Sequence, residues 1–171
     1  MNMTRRAMIL SGSAAILMRH APSASASSFA WQARHGIDSQ QFQRTFDGLV
    51  SQGYRLVHIS GYEVNGSSQF AAIWHQTPGS AWVARDNLPS REYQRTFDEL
   101  VGQGYRLVRV SGYESGGEAL YAAIWTQSDG PAFDARHGMT GDEYQAEFNR
   151  MTRQGFRLTW VSGYGVGGQL R

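Results

Sequence analysis

The chain contains no cysteine and no lysine. The first absence excludes disulfide frameworks, thiolate nucleophiles, zinc-cysteine sites and iron-sulfur clusters. The second excludes a serine-lysine dyad, a Schiff-base lysine and a P-loop lysine within these 171 residues, because all sixteen cationic side chains are arginine. What is present suits a packed globular chain. Apolar residues make up 41% and aromatic residues 12%, enough for a core and too much for disorder, and the length fits one domain.

Charge is unevenly placed. The formal net charge of +2 and the isoelectric point of about 9.1 depend on Arg5, Arg6 and Arg19 near the start. The paired arginines precede an apolar run from Ala7 to Met18, then a small-x-small pattern at Ala24 and Ala26. This resembles a twin-arginine export signal, residues 1–26, cleaved after Ala26. A run of twelve residues is too short to span a bilayer, which needs about 20, so no membrane anchor is expected after removal. The remaining chain carries thirteen arginines against fourteen acids, and nothing in that balance calls for nucleic acid. The expected location is outside the cytoplasm, periplasmic or extracellular.

Self-similarity is the strongest signal. Trp31, Trp82 and Phe133 open three segments at a spacing of 51 residues, giving copies 31–81, 82–132 and 133–171 within a repeat domain 27–171. The copies share Arg34, Arg85 and Arg136; Phe46, Phe97 and Phe148; Gly53, Gly104 and Gly155; and Arg55, Arg106 and Arg157. Each also carries a Ser-Gly-Tyr triplet, ending at Tyr62, Tyr113 and Tyr164.

Within a copy, Tyr93, Phe97, Leu100 and Val101 form the i, i+4, i+7, i+8 stripe of an amphipathic helix. Asp38 with Gln41 and Thr140 with Glu143 have capping-box spacing, Pro89 suits a first-turn position, and the glycine after Gln52, Gln103 or Gln154 suits a left-handed stop. Residues 54–62 and 70–74 read as a hairpin turning at Asn65-Gly66, and 81–85 as a third strand handing over to the next helix. The expected fold is α+β: tandem repeats of about 51 residues, each one helix plus a short antiparallel three-strand meander. A unit this small cannot bury enough core alone, so neighbours must pack, radially in a propeller-like way or as a curved stack.

The motifs Trp-x-Ala-Arg-His-Gly at 31–36, Tyr-Gln-x-x-Phe-Asp at 93–98, Gly-Tyr-Arg-Leu-Val at 53–57, Ser-Gly-Tyr, and Tyr-Ala-Ala-Ile-Trp at 121–125 together resemble a bacterial tandem repeat. The same repeat is found in the N-terminal half of polyglycine hydrolases. The resemblance covers residues 31–171 and implies a structural or binding region of secreted proteins. In polyglycine hydrolases a separate serine hydrolase domain of the β-lactamase type supplies catalysis, and its Ser-x-x-Lys motif has no match here. Copy three ends at Gln169-Leu170-Arg171, one residue short of the Tyr-Ala-Ala-Ile-Trp strand. Its final strand is therefore expected to lack a partner and to offer an edge for self-association.

Residues repeated in every copy are expected to serve packing, since one active site needs its groups once. Arg55, Arg106 and Arg157 are read as ties to a carboxylate or backbone carbonyl. No Gly-x-Ser-x-Gly motif accompanies the triplet serines. His35, Asp86 and His137 occupy equivalent positions, but without short ligand spacing no metal or other cofactor is expected. The position held by His58, Arg109 and Trp160 varies. By strand alternation His58 shares a face with Tyr54, Leu56 and Tyr62. His58, Arg109, Trp160, Tyr62, Tyr113 and Tyr164 are thus the candidate binding surface, for an extended peptide or cell-wall polymer. The expected function is a non-catalytic exported module that binds or scaffolds. The alternative is an accessory or truncated part of a secreted serine hydrolase of the polyglycine hydrolase type.

Overall fold

A computed structural model describes residues 29–171; the expected export signal lies outside the described residues. Copy one runs β1 (Trp31–Asp38), α1 (Ser39–Ser51), β2 (Arg55–Val64) and β3 (Ser67–His75). Copy two repeats this as β4 (Trp82–Pro89), α2 (Ser90–Gly102), β5 (Tyr105–Ser115) and β6 (Glu118–Gln127). Copy three has α3 (Gly141–Arg153) and two-residue strands β7 (Gly165–Val166) and β8 (Gln169–Leu170). Among the described residues no helix is long and apolar enough to cross a membrane.

Local chemistry sets the element ends. The capping boxes at Asp38 and Thr140 both form, each side chain accepting from the N3 backbone while Gln41 or Glu143 reaches back. Pro89 occupies the N-cap of α2, one place earlier than expected, and supplies no side-chain cap. Gly53, Gly104 and Gly155 follow the helices with φ of 82°, 84° and 86°, a region where other residues are strained. The Asn65-Gly66 turn has φ of 52° and 78°, as a type I′ hairpin requires.

The sheet is not a meander. Strand order is β1-β3-β2 in copy one and β4-β6-β5 in copy two, all antiparallel. The strand before each helix returns to its own copy and pairs with the last strand, instead of extending the sheet of the copy before it. The reason lies in β3 and β6. Phe70, Ala72 and Trp74, like Tyr121, Ala123 and Trp125, are at most 2% exposed, and a strand so apolar is stable only with both edges bonded.

A bulge in β2 changes which side chains share a face. Leu56 pairs with Trp74 but His58 pairs with Ile73, so Leu56 and Ile59 both face the helix while His58 joins Ser60 and Tyr62 behind. The expected grouping of His58 with Leu56 is thereby corrected. The same shift separates Leu107 from Arg109 in β5. Copy one's core contains Phe42, Leu49, Leu56, Ile59, Phe70 and Trp74, and it extends across the copy boundary to Tyr113, Ala122 and Ile124 on the back of the next sheet. Copies one and two are therefore each sealed partly by the copy that follows.

Candidate functional site

The Ser-Gly-Tyr triplet is the joint between copies. The amide of Gly61 donates to Ser111 Oγ (3.1 Å), and the amide of Gly112 donates to Ser162 Oγ (3.1 Å). A Cβ on Gly61 would run into the Tyr113 ring, and one on Gly112 into the Tyr164 ring. Only glycine admits these tyrosines. Tyr113 meets Phe70 edge to face at 5.8 Å, and Tyr164 meets Tyr121 in the same way at 5.9 Å.

The tyrosine hydroxyls also have partners. Tyr62 accepts from the amide of Gly36 (2.9 Å), Tyr113 accepts from the amide of Asn87 (3.1 Å) and donates to its Oδ1 (3.0 Å), and Tyr164 bonds Tyr121 hydroxyl to hydroxyl (2.6 Å). Burial holds the Tyr113 and Tyr121 hydroxyls well above the ordinary phenol range, so both stay neutral. Of the three candidate tyrosines, Tyr113 is buried while Tyr62 and Tyr164 are half-buried.

The three varied residues come together. Arg109 lies over the Trp160 ring at 4.6 Å, and His58 meets the same ring edge on at 5.7 Å. Trp160 Nε1 donates to the carbonyl of Val110 (2.7 Å), and Arg109 donates to that of Val108 (2.6 Å). Variation does not mark simple exposure here, because all three are half-buried. Residues at one equivalent position meet in a shared space, and one tryptophan, one arginine and one histidine fill it as three copies of any one could not. Burial, then the Arg109 charge, holds His58 below its ordinary pKa.

Beside this cluster, Gly61-Tyr62-Glu63, Gly112-Tyr113-Glu114 and Gly163-Tyr164-Gly165 line one open cavity of about 280 Å³. All three copies contribute the equivalent stretch of chain. Glu114 accepts from the amide of Gly167 (3.1 Å), which leaves Glu63 as the carboxylate without a bonded partner among the described residues.

The repeated arginines tie the linkers, as the sequence suggested. Arg55 donates to the carbonyl of Ser80 (3.0 Å) and Arg106 to that of Pro131 (2.6 Å), while Arg106 also lies 4.3 Å over Phe133. Asp47 and Asp98 accept instead from Gln43 and Gln94 one helical turn earlier.

Sequence reasoning missed one pair. Ser90 Oγ lies 3.1 Å from His137 Nε2, with an open groove beside it lined by Arg91, Gln94, Arg95 and Asp98. A serine nucleophile needs such a base. No carboxylate bonds the ring's other nitrogen among the described residues, and at the preceding joint Asn87 of copy two donates to Ser39, the equivalent of Ser90 (3.1 Å). The pair is therefore a joint between copies; only the spacing of Ser90 and His137 against the repeat could have signalled it. Burial holds His137 below its ordinary pKa. No group of three or more metal-type ligands exists among the described residues, and His35, Asp86 and His137 are not brought together as one.

Comparison with known families matches the polyglycine hydrolase-like structural repeat three times, at residues 29–77, 79–128 and 130–171. These matches coincide with the three structural copies and cover most of the chain. The chain belongs to the polyglycine hydrolase-like structural repeat family.

Proposed function

We propose that this is a non-catalytic repeat module that binds or scaffolds an extended peptide or cell-wall polymer outside the cytoplasm. The observation that supports this best is the shared cavity. Three copies present the equivalent Gly-Tyr stretch to one opening, with Glu63 in its lining and the His58, Arg109 and Trp160 cluster next to it in sequence. The convergence of equivalent residues from all three copies favours a radial arrangement over a curved stack. Tyrosine edges and a carboxylate next to glycine backbone suit recognition of an amide-rich chain. Export rests on Arg5-Arg6, the apolar run that follows and the Ala24-x-Ala26 pattern.

Catalysis is disfavoured by the use already made of the repeated serines and tyrosines in joints. A second reading, an accessory part of a secreted serine hydrolase of the polyglycine hydrolase type, is supported by the family match and places the chemistry in another domain.

Pull-down of the purified protein on peptidoglycan and on immobilised glycine-rich peptide tests the proposal. Retention without turnover, weakened by Glu63→Ala with the fold intact, is the expected outcome. Labelling of one serine by an active-site probe together with peptide or ester hydrolysis would overturn it.

A further inference from the structure

Repetition also singles out groups that packing does not require, since these need occur in one copy only. The open groove beside His137 has a volume of about 680 Å³ and is lined by Ser90, Arg91, Gln94, Arg95, Asp98 and His137. Five of these stand on one face of α2, at i, i+1, i+4, i+5 and i+8, and His137 comes from the segment leading into α3. Copy one has Gln40 in place of Arg91 and Asp86 in place of His137, while copy three has Asp142 and Ala146 in place of Arg91 and Arg95. An arginine pair beside a groove that lacks the Asp86 carboxylate therefore occurs once.

The pair has no internal counter-charge. All ion pairs among the described residues belong to Arg136 and Arg150 in copy three. Arg91 and Arg95 are one helical turn apart, about 6 Å along the axis, where like charges repel. Asp98, the carboxylate of the lining, accepts instead from Gln94 (2.8 Å). At the other end Ser90 Oγ and His137 Nε2 bond at 3.1 Å. With the His137 proton on Nε2, the ring donates to Ser90 and the hydroxyl proton turns to the groove.

We infer that this groove binds a phosphate ester of a polyhydroxyl compound, with the phosphoryl group on Arg91 and Arg95 and the hydroxyls at Gln94 and Asp98. Guanidinium forks match the oxygens of a phosphoryl group, and the Ser90 hydroxyl adds a neutral donor. Asp98 repels a second anionic group but accepts from hydroxyls, which orients the ligand along the helix. A phosphate ion alone would leave most of the groove empty, and the polyol portion fills that space. This goes beyond the polymer binding proposed above and stands apart from it, since the two cavities share no lining residue.

The test titrates the isotope-labelled full chain with glycerol phosphate, inorganic phosphate and glycerol at constant ionic strength, following amide shifts by NMR. Shifts confined to residues 90–98 and His137 are expected, with glycerol phosphate binding about tenfold more tightly than inorganic phosphate and glycerol causing none. Arg91→Gln, which installs copy one's residue at an exposed position, should weaken both phosphate probes about tenfold or more with thermal unfolding unchanged. Arg44→Gln, at the exposed α1 equivalent of Arg95, should leave binding as it was, and so should Glu63→Ala. Absence of shifts in the groove would overturn the proposal. So would equal weakening by Arg44→Gln, the mark of general charge attraction, or equal affinity for the two phosphate probes, which would leave Gln94 and Asp98 without a role.

Discussion

Copies two and three carry the same motifs at the same spacing, yet their interiors differ. Copy two buries Tyr93, Leu100, Tyr121, Ala123 and Trp125 in one cluster, whereas α3 buries nothing. Both helices form, with equal length and the same left-handed glycine stop. Local signals such as caps and turns are thus sufficient to shape each helix, and they do not by themselves make a core. The core needs the central strand, which removes apolar area from water on the helix side and supplies backbone bonds on both edges.

The comparison breaks most decisively at equivalent leucines. Leu56→Ala should cost about 2–5 kcal/mol, as expected for a buried leucine beside a poorly collapsible tryptophan, while Leu158→Ala should cost less than about 1 kcal/mol. Chemical denaturation of the two variants checks this. Equal losses would mean that copy three has a closed core after all.

The joint glycines sharpen the same contrast. Gly112→Ala drives a methyl into the Tyr164 ring and should cost about 1–3 kcal/mol, since the ring is packed against Tyr121 and cannot withdraw freely. At Gly163 the nearest atom to an added Cβ is a carbonyl oxygen at 3.9 Å, so Gly163→Ala should be close to neutral. Thermal shifts of the pair give the answer in one experiment. A smaller effect is expected at the serines. Ser111→Ala leaves the buried Gly61 amide without its acceptor and should cost about 1–2 kcal/mol, whereas Ser60→Ala, whose hydroxyl accepts from no glycine amide among the described residues, should change stability little.

Much of this was legible in the sequence because repetition separates roles. The 51-residue period follows from comparing copies and the helix stripe and both capping boxes from patterns within one, while Arg55 and Arg106 were legible as ties to a carboxylate or a backbone carbonyl, of which the structure selects the linker carbonyls. Two features were not legible. The return of β1 to β3 depends on which edge of a buried strand is open, a tertiary matter that alternation cannot encode. The bulge after Leu56 moves His58 to the other face, and nothing in Leu56-Val57-His58 announces an extra residue. The meeting of His58, Arg109 and Trp160 was visible only as variation at a shared position, which reads as exposure until the copies are seen to converge.

The joint between copies two and three contains a titratable contact that its counterpart lacks: His137 bonds Ser90 and packs edge on against Tyr93 and Tyr121 at 4.8 and 5.1 Å, where the joint between copies one and two has Asn87 on Ser39. Burial lowers the folded-state pKa of His137 below its unfolded value near 6.5. Its neutral form is therefore favoured by folding, and this stabilisation is complete above pH 6.5 and is lost as pH falls through the lower, folded value. Hydrogen exchange should show α3 and residues 133–138 opening as pH is lowered from 7.5 to 5, ahead of β2, β3 and α1. His58 adds a contribution of the same sign through its contact with Trp160. His137→Asn removes the titratable ring from this joint and should flatten the pH dependence of protection in copy three while leaving copy one as it was. Unchanged pH dependence in that variant would place the sensitivity at His58 instead, and Trp160→Phe, which keeps an aromatic ring against His58 but removes the bond to Val110, would then separate the electrostatic part from the packing.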